Sequence, residues 1–169
     1  MIENYTIHQL NNNEWDIFKK IRLEALLADP QFFGASFEKE AEYGEDKWRE
    51  FIGNPNDRAM FILKNNDDVI GLTGIIRSRD NLQEANLIAS YIRKEYRGLG
   101  LSKKFYIARL DWARKNKFSS VLVSHRESNI ASKMANQKFG FKCIGIHDKV
   151  WNDGKNEKEV FYRLSLIDN

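Results

Sequence analysis

Residues Ala89 to Ser102 read ASYIRKEYRGLGLS, an apolar run that leads into a basic turn with two glycines. The alternating polarity of Ala89, Ser90 and Tyr91, together with the Tyr and Ile residue types, predicts a strand. After the turn, apolar residues recur three or four positions apart, the spacing of one helix face, at Leu101, Phe105, Ala108 and Trp112. The stretch therefore predicts a strand, a tight turn and a helix in succession.

The turn has the properties of an anion-binding site. The first N–H groups of a helix have no partner within the helix, and the peptide dipoles add about half a positive charge there, so a phosphate is the natural ligand. Gly98 and Gly100 let the backbone approach a bulky anion and tolerate positive φ. Between Arg93 and Lys117, nine basic residues stand against two acidic ones, a local excess of seven. This excess also indicates an anionic ligand near the turn.

Two segments of the chain are similar to known motifs. The turn, Arg97 to Ser102 (RGLGLS), resembles the pyrophosphate-binding signature of the GNAT acetyltransferases, Arg/Gln-x-x-Gly-x-Gly/Ala. Ser102 departs from it, since the family usually has Gly or Ala there. Asn129 and Lys138 to Phe141 (KFGF) are similar to the family's Asn-x-x-Ala/Ser and Lys-x-Gly-Phe pattern at the usual spacing. Both segments lie within residues 97–141.

The resemblance implies an N-acetyltransferase that moves an acetyl group directly from acetyl-CoA to a primary amine in a ternary complex, with no metal. The pantetheine arm is then expected between Tyr91–Arg93 and Val121–Val123, where the two strands splay apart. The residues expected to bind the coenzyme are Tyr91, Ile92, Arg93, Arg97, Gly98, Leu99, Gly100, Leu101, Ser102, Lys103, Asn129 and Ser132.

Catalysis of this reaction needs a polarised thioester and a base. In the family a backbone N–H polarises the thioester carbonyl, so no particular side chain is required for that step. Two residues are candidate bases. Glu84 enters the strand that leads to the turn and is either a base or a surface carboxylate. His125 ends the inward alternation of the next strand and is either a base or a hydrogen-bonded structural histidine.

The residue at the position of the family's usual proton donor for the leaving thiolate differs in this chain. Many members place a tyrosine seven residues after the asparagine, and that position here is Asn136. An amide is no general acid, so water or another hydroxyl supplies the proton, or none is needed. A free thiol has a pKa of about 8.5, so unassisted departure of the thiolate is feasible near neutral pH.

Length and composition limit the remaining possibilities. The 169 residues, 42% hydrophobic, suffice for one substantial core, and we predict a single domain over residues 1–169. The apolar runs are too short to cross a membrane and the N-terminus lacks a signal-peptide layout, so we expect a cytoplasmic protein without membrane contact. Cys143 is expected to be a small buried thiol. The sequence leaves monomer and homodimer both open.

The order of predicted elements defines the fold class. We predict an α+β fold with a central, mostly antiparallel sheet, one splayed parallel strand pair and flanking helices, as in a GNAT domain. The predicted elements are strand 4–10, a helix to Ala28, a helical segment 36–52 broken near Gly44, strands 58–65, 69–79 and 82–93, helix 100–117, strand 119–125, helix 130–138 and strands 141–150 and 157–166. A Rossmann fold fails, because Lys103 occupies the third glycine position and the preceding strands form a meander.

Two other functions compete with acetyl transfer. The residue at position 136 is also consistent with a non-catalytic module that binds an acyl-CoA as a sensor. A nucleic-acid-binding domain is disfavoured, because the net charge of +3 is low and the basic cluster lacks interleaved exposed aromatic residues. The acceptor itself, a small molecule or a peptide, is not defined by the sequence.

Overall fold

The computed structural model describes residues 4–167. The chain forms seven strands and five α-helices in the predicted order: β1 (Tyr5–Gln9), α1 (Trp15–Ala28), α2 (Phe37–Ala41), α3 (Glu45–Ile52), β2 (Arg58–Asn65), β3 (Asp68–Arg77), β4 (Glu84–Ile92), α4 (Ser102–Lys115), β5 (Ser120–Arg126), α5 (Ile130–Lys138), β6 (Lys142–Val150) and β7 (Asn156–Ser165). The predicted break at Gly44 is confirmed, because Gly44 separates α2 from α3 and is the N-cap of α3.

All seven strands form one sheet with the order β1-β2-β3-β4-β5-β7-β6. Neighbouring strands run antiparallel except β4 and β5, which run parallel. The mixed α/β fold with one parallel pair is therefore confirmed. The last strand, β7, inserts between β5 and β6, so β6 lies at the edge of the sheet.

Strands β4 and β5 separate soon after they begin. Their pairing covers only Glu84–Asn86 against Ser120–Leu122, although β4 continues to Ile92 and β5 to Arg126. A β-bulge at Ala89 and Ser90, opposite Thr73 of β3, bends β4 at this point, and Ala89 has φ +58°. A bulge increases strand twist and takes one residue out of the ladder, and this opens the sheet between β4 and β5.

The two faces of the sheet carry different helices. On one face α4 and α5 cover a core that includes Ala85, Leu87, Tyr106, Leu110, Trp112, Phe118, Val121 and Tyr162. On the other face α1 and α3 cover a second core that includes Phe18, Ile21, Leu26, Trp48, Met60, Ile62, Leu72 and Tyr91. The splay therefore connects a face covered by α4 and α5 with a face covered by α1 and α3.

The position of β6 corrects one expectation. Cys143 is exposed, because β6 is an edge strand whose side chains are mostly in contact with solvent. Among residues 4–167, no helix combines the length and the apolar character that a membrane span requires.

Candidate functional site

The splay between β4 and β5 forms the floor of a cleft of about 1010 Å³. Residues from both faces of the sheet line it. Phe18, Arg22, Phe33, Tyr91 and Trp151 belong to the side of α1, and Phe105, Tyr106, Arg109, Ala135 and Asn136 belong to the side of α4 and α5. The cleft thus gives two molecules access to the same point from opposite faces of the sheet.

The head of α4 opens into this cleft without a cap. Gly98 and Gly100 have φ +80° and +73°, and a Cβ at either position would meet no atom within 4 Å. The N-cap position, Leu101, offers no side-chain hydrogen bond. Among residues 4–167, no acceptor pairs with the backbone N–H groups of Gly100, Leu101 and Ser102. Three consecutive free donors at the positive end of a helix fit the pyrophosphate of a coenzyme.

The sequence-predicted coenzyme residues divide into two groups. Those that line the cleft are Tyr91, Ile92, Arg97, Gly98, Gly100, Leu101, Ser102, Asn129 and Ser132. Arg93, Leu99 and Lys103 do not line it. Arg93 is bound instead by Glu24 (2.7 Å) and Asp68 (2.8 Å), which raise its pKa above the usual range. Its side chain is therefore committed to an ion-pair network outside the cleft.

The other strand of the predicted crevice also needs a correction. Val121 and Leu122 pair with Ala85 and Asn86 of β4, so they lie below the point where the strands separate. The open part of β5 begins at Val123, which lines the cleft together with Ser124 and His125.

Arg97 and Asn129 are both positioned by hydrogen bonds. The Arg97 guanidinium donates to the carbonyl of Ile92 (2.7 Å) and to Asp29 (2.5 Å), so it fixes the turn before the glycines. The Asn129 side chain accepts from the N–H of Ser132 (3.1 Å) and so caps α5. The cap uses the side-chain oxygen of Asn129 as a hydrogen-bond acceptor, so its side-chain nitrogen is available to donate elsewhere.

The wall on the α1 side is built from two loops that are distant in sequence. Asn152, in the turn between β6 and β7, donates from Nδ2 to the carbonyls of Phe33 (3.0 Å) and Ala35 (3.2 Å). Arg126 donates to the carbonyl of Gln31 (3.1 Å) and to Asp153 (2.8 Å). These contacts hold the residues before α2 against the β6–β7 turn and close one side of the cleft.

Two carboxylates line the cleft. Asp29 is paired with Arg97 near the glycine turn. Glu159, on β7, accepts from the Ser124 hydroxyl (2.7 Å) and from Lys149 Nζ (2.9 Å). In the strand register Glu159 is opposite Arg126, which contacts the α1 side, so Glu159 faces that side as well.

Comparison with known proteins identifies the family. The family model described as "Acetyltransferase (GNAT) family" matches residues 19–141, which is more than two thirds of the chain. The chain belongs to the GNAT acetyltransferase family. This confirms the resemblance that the glycine turn and the segment from Asn129 to Phe141 indicated. No curated protein sequence matches the chain.

Solved GNAT structures share the fold at low sequence identity. A GNAT acetyltransferase from Streptococcus pneumoniae superposes with a TM-score of 0.81 at 15% identity, over 96% of this chain and 100% of the other. YncA, a putative acetyltransferase from Salmonella typhimurium solved with acetyl-CoA, superposes with a TM-score of 0.80 at 18% identity, over 98% of this chain and 96% of the other. RimL, a ribosomal L7/L12 alpha-N-protein acetyltransferase in complex with coenzyme A, superposes with a TM-score of 0.75 at 12% identity, over 95% of this chain and 93% of the other. At these identities the likeness establishes the fold alone.

Within this GNAT domain, Glu84 does not reach the cleft. It is the first residue of β4, in the paired part of the parallel strands, and is 8% exposed. Its Oε1 accepts from the Ser120 hydroxyl (2.9 Å) and from Arg163 Nη2 (3.0 Å). The cleft opens only beyond Asn86, so this position favours a structural role for Glu84, and its role as the base stays a prediction.

His125 does line the cleft, but both of its ring nitrogens are engaged. Nδ1 is 2.7 Å from the carbonyl of Arg126, and Nε2 is 3.1 Å from the Tyr162 hydroxyl. A carbonyl only accepts, so Nδ1 carries the hydrogen, and in the neutral ring Nε2 accepts from Tyr162. The ring also stacks on Tyr162 with centroids 5.3 Å apart. This arrangement favours the structural interpretation of His125.

We expect His125→Gln to lower stability more than turnover. Loss of the two hydrogen bonds and of the stacking should destabilise the fold by about 1–2 kcal/mol, while kcat stays within about threefold. Thermal unfolding and steady-state kinetics on the same preparation measure both quantities. A loss of kcat above about tenfold, at an unchanged unfolding temperature, would restore His125 as a base.

Sequence reasoning did not bring together three buried polar residues that line the GNAT cleft, Tyr106, Arg109 and Asn136. Tyr106 had no role assigned from the sequence, Arg109 was one of the nine basic residues between Arg93 and Lys117, and Asn136 was a departure from the family pattern. In the structure Tyr106 donates to Asn136 Oδ1 at 2.5 Å, and Arg109 is 2% exposed. One signal was available in the sequence. A phenolic and a basic side chain lie three positions apart on a predicted helix, a spacing that places them next to each other on its surface.

Proposed function

We propose that this protein transfers the acetyl group of acetyl-CoA directly to a primary amine of a small molecule or peptide. The free N–H groups of Gly100 to Ser102, at the mouth of a cleft between two splayed strands, are the observation that carries the proposal. Solved relatives with this fold hold acetyl-CoA, in YncA, and coenzyme A, in RimL. The glycine backbone leaves room for a bulky anion, so the residues present fit the coenzyme.

The cleft suits a ternary complex. The coenzyme would enter on the side of α4 and α5, and the amine would enter between α1 and the β6–β7 turn. Backbone N–H groups freed by the bulge at Ala89 and Ser90 would polarise the thioester carbonyl. The walls on the amine side, which include Phe32, Phe33 and Trp151, are aromatic and favour an acceptor with an apolar part.

Glu159 is the proposed base in place of Glu84. It lies on the amine side of the cleft and, unlike Asp29, is not paired with the glycine turn. A carboxylate there attracts the ammonium form of the acceptor and takes its proton directly or through water. The Ser124 hydroxyl and Lys149 fix the orientation of both carboxylate oxygens. The amine then attacks in its neutral form.

Glu159→Gln is expected to lower kcat by at least about tenfold, because the substitution removes the negative charge and the proton acceptor at nearly constant shape. The thermal shift produced by acetyl-CoA should persist, since Glu159 lies on the amine side. Glu84→Gln serves as the comparison and should keep kcat within about threefold. Equal activity of both variants would exclude Glu159 as the base.

The experiment that tests the proposed function measures coenzyme A release with a panel of primary amines and N-terminal peptides. Release that depends on the amine supports transfer. The alternative is a non-catalytic acyl-CoA sensor, for which Asn136 at the usual tyrosine position is the specific observation. A thermal shift with acetyl-CoA but no release with any amine would favour the sensor. The absence of both effects would reject both functions.

A further inference from the structure

Three buried polar side chains meet on the coenzyme side of the cleft. Tyr106 and Arg109 come from α4, and Asn136 comes from α5. Their exposed fractions are 6%, 2% and 0%. All three line the cleft. Buried polar side chains normally have hydrogen-bond partners for all of their polar groups.

Asn136 has an unpaired amide group. Its Oδ1 accepts the Tyr106 hydroxyl, while its Nδ2 is buried and has no partner among residues 4–167. If the amide oxygen and nitrogen are exchanged, Nδ2 donates to Tyr106 Oη, the phenolic hydrogen is free, and Oδ1 becomes the atom without a hydrogen-bond partner among residues 4–167. An unsatisfied buried donor is costly, and a contact between two helices would be served better by apolar residues. The orphan group therefore points to a ligand in the cleft.

Arg109 carries a buried charge without a carboxylate partner in the described part of the chain. Its Nη1 donates to the hydroxyls of Thr73 and Ser90, both at 2.8 Å, and its Nε donates to the carbonyl of Phe105 at 3.2 Å. Burial lowers its pKa to about 10, which leaves it charged at neutral pH. The Arg109 guanidinium carbon lies 4.8 Å from the centre of the Tyr106 ring.

Tyr91, another phenol of the cleft, is less suited to give up a proton. Tyr91 donates its hydroxyl hydrogen to Glu24 (3.1 Å), and burial together with that carboxylate raises its pKa to about 12. Tyr106 instead lies beside a cation, which opposes the increase of its pKa caused by burial. The Phe139 ring stacks on the Tyr106 ring with centroids 4.3 Å apart, and the Phe141 ring lies at 6.1 Å. Tyr106 is thus protonated at neutral pH and next to a charge that stabilises its anion.

We propose that Tyr106 is the proton donor for the departing coenzyme thiolate, with Asn136 and Arg109 as its positioning residues. The inference rests on the proposed acetyl transfer. The amine nitrogen forms a bond to the carbonyl carbon, the carbon–sulfur bond breaks, and the electron pair of that bond stays on sulfur. With Nδ2 of the exchanged Asn136 amide donating to Oη, the phenolic hydrogen is free, and Tyr106 Oη gives this proton to the sulfur. Arg109 stabilises the phenolate, and the proton released by the amine returns to the phenolate through water.

The first test is Tyr106→Phe, which removes one hydroxyl and keeps the ring stacked on Phe139. We expect kcat to fall by about 10²-fold, while the KM and the thermal shift for acetyl-CoA change by less than about threefold. Tyr43→Phe is the matched control, because Tyr43 packs against Trp48 and Phe51 and does not line the cleft. A kcat of Tyr106→Phe within about threefold of the wild type would overturn the proposal.

A second measurement needs no acceptor. The thiol of coenzyme A bound to the protein is titrated by the ultraviolet absorbance of the thiolate. A hydroxyl that donates to the sulfur stabilises the thiolate, so the titration midpoint should lie about one pH unit lower in the wild type than in Tyr106→Phe. Identical midpoints would overturn the proposal. Should no amine react, the proposed transfer fails, while this titration still decides the role of Tyr106.

Arg109→Met separates a structural role from a positioning role. Replacement of an unpaired buried charge by an apolar side chain of similar length should leave the unfolding temperature unchanged or higher. The variant should nevertheless lose about tenfold or more in kcat, because the phenolate of Tyr106 is no longer stabilised. A lower unfolding temperature with unchanged kcat would assign Arg109 to the fold and remove it from the proposal.

Discussion

Gly100→Glu is expected to abolish the stabilisation of the protein by acetyl-CoA. In the wild type, a ligand at a hundredfold excess over its Kd stabilises the fold by about 2.7 kcal/mol, which for a chain of this size raises the unfolding temperature by roughly 5–10 °C. The new carboxylate would point into the space where the N–H groups of Gly100 to Ser102 are free. It would both occupy that space and repel the pyrophosphate, so binding should weaken by more than about 100-fold.

The control for this variant is Gly154→Glu. Gly154 has nearly the same backbone conformation, φ +78° against +73°, and a Cβ there also meets no atom within 4 Å. Any residue with a side chain is strained at such a φ, so both variants should lose a similar amount of stability. Gly154 lies in the β6–β7 turn, away from the head of α4, and should keep the full thermal shift. A shift retained in folded Gly100→Glu would reject the assignment of the glycine turn.

Glu40→Ala is expected to give the largest loss of stability. Glu40 and Arg22 form a bidentate ion pair, with both nitrogen–oxygen distances 2.9 Å, and their side chains are only 4% and 10% exposed. Removal of the carboxylate leaves a buried guanidinium without its partner. Such a change costs about 3–5 kcal/mol, which should lower the unfolding temperature by roughly 6–20 °C.

Two further variants test whether the loss of stability in Glu40→Ala comes from the unpaired buried charge of Arg22. Glu50→Ala removes an exposed partner of Lys47 and should leave the unfolding temperature unchanged, because water screens that pair. The double variant Arg22→Met with Glu40→Leu removes both charges and should recover most of the stability, since an apolar pair avoids the desolvation cost. A large loss in the double variant would show that the ion pair itself, rather than the orphan charge, holds α1 against α2.

The local structure was predictable because its causes lie within a few residues. The short apolar run in Arg58–Asn65 gives β2 the predicted bounds, and Asp29 and Pro30 end α1 at Ala28 as expected. The glycine turn adopts positive φ at Gly98 and Gly100, as a tight turn before an anion-binding helix requires. The family motifs depend on the same short-range geometry, which is why the sequence was sufficient to predict the fold class.

The distant contacts were not predictable in this way. Whether a strand residue lies in the paired or the open part of the sheet depends on the bulge in β4, and this removed Glu84 from the cleft. Cys143 is exposed because β7 inserts between β5 and β6, a choice that strand patterns do not encode. Glu159 reaches the cleft through the same insertion.

The sequence by itself thus determined the fold class, the family and the conformation of the glycine turn, since these follow from the conformational preferences of neighbouring residues. The tertiary structure alone decided which polar side chains meet. Tyr106 and Asn136 are thirty positions apart and meet only because α4 and α5 pack on the same face of the sheet. The packing angle and register of two helices depend on the whole core between them, so no local pattern specifies that contact.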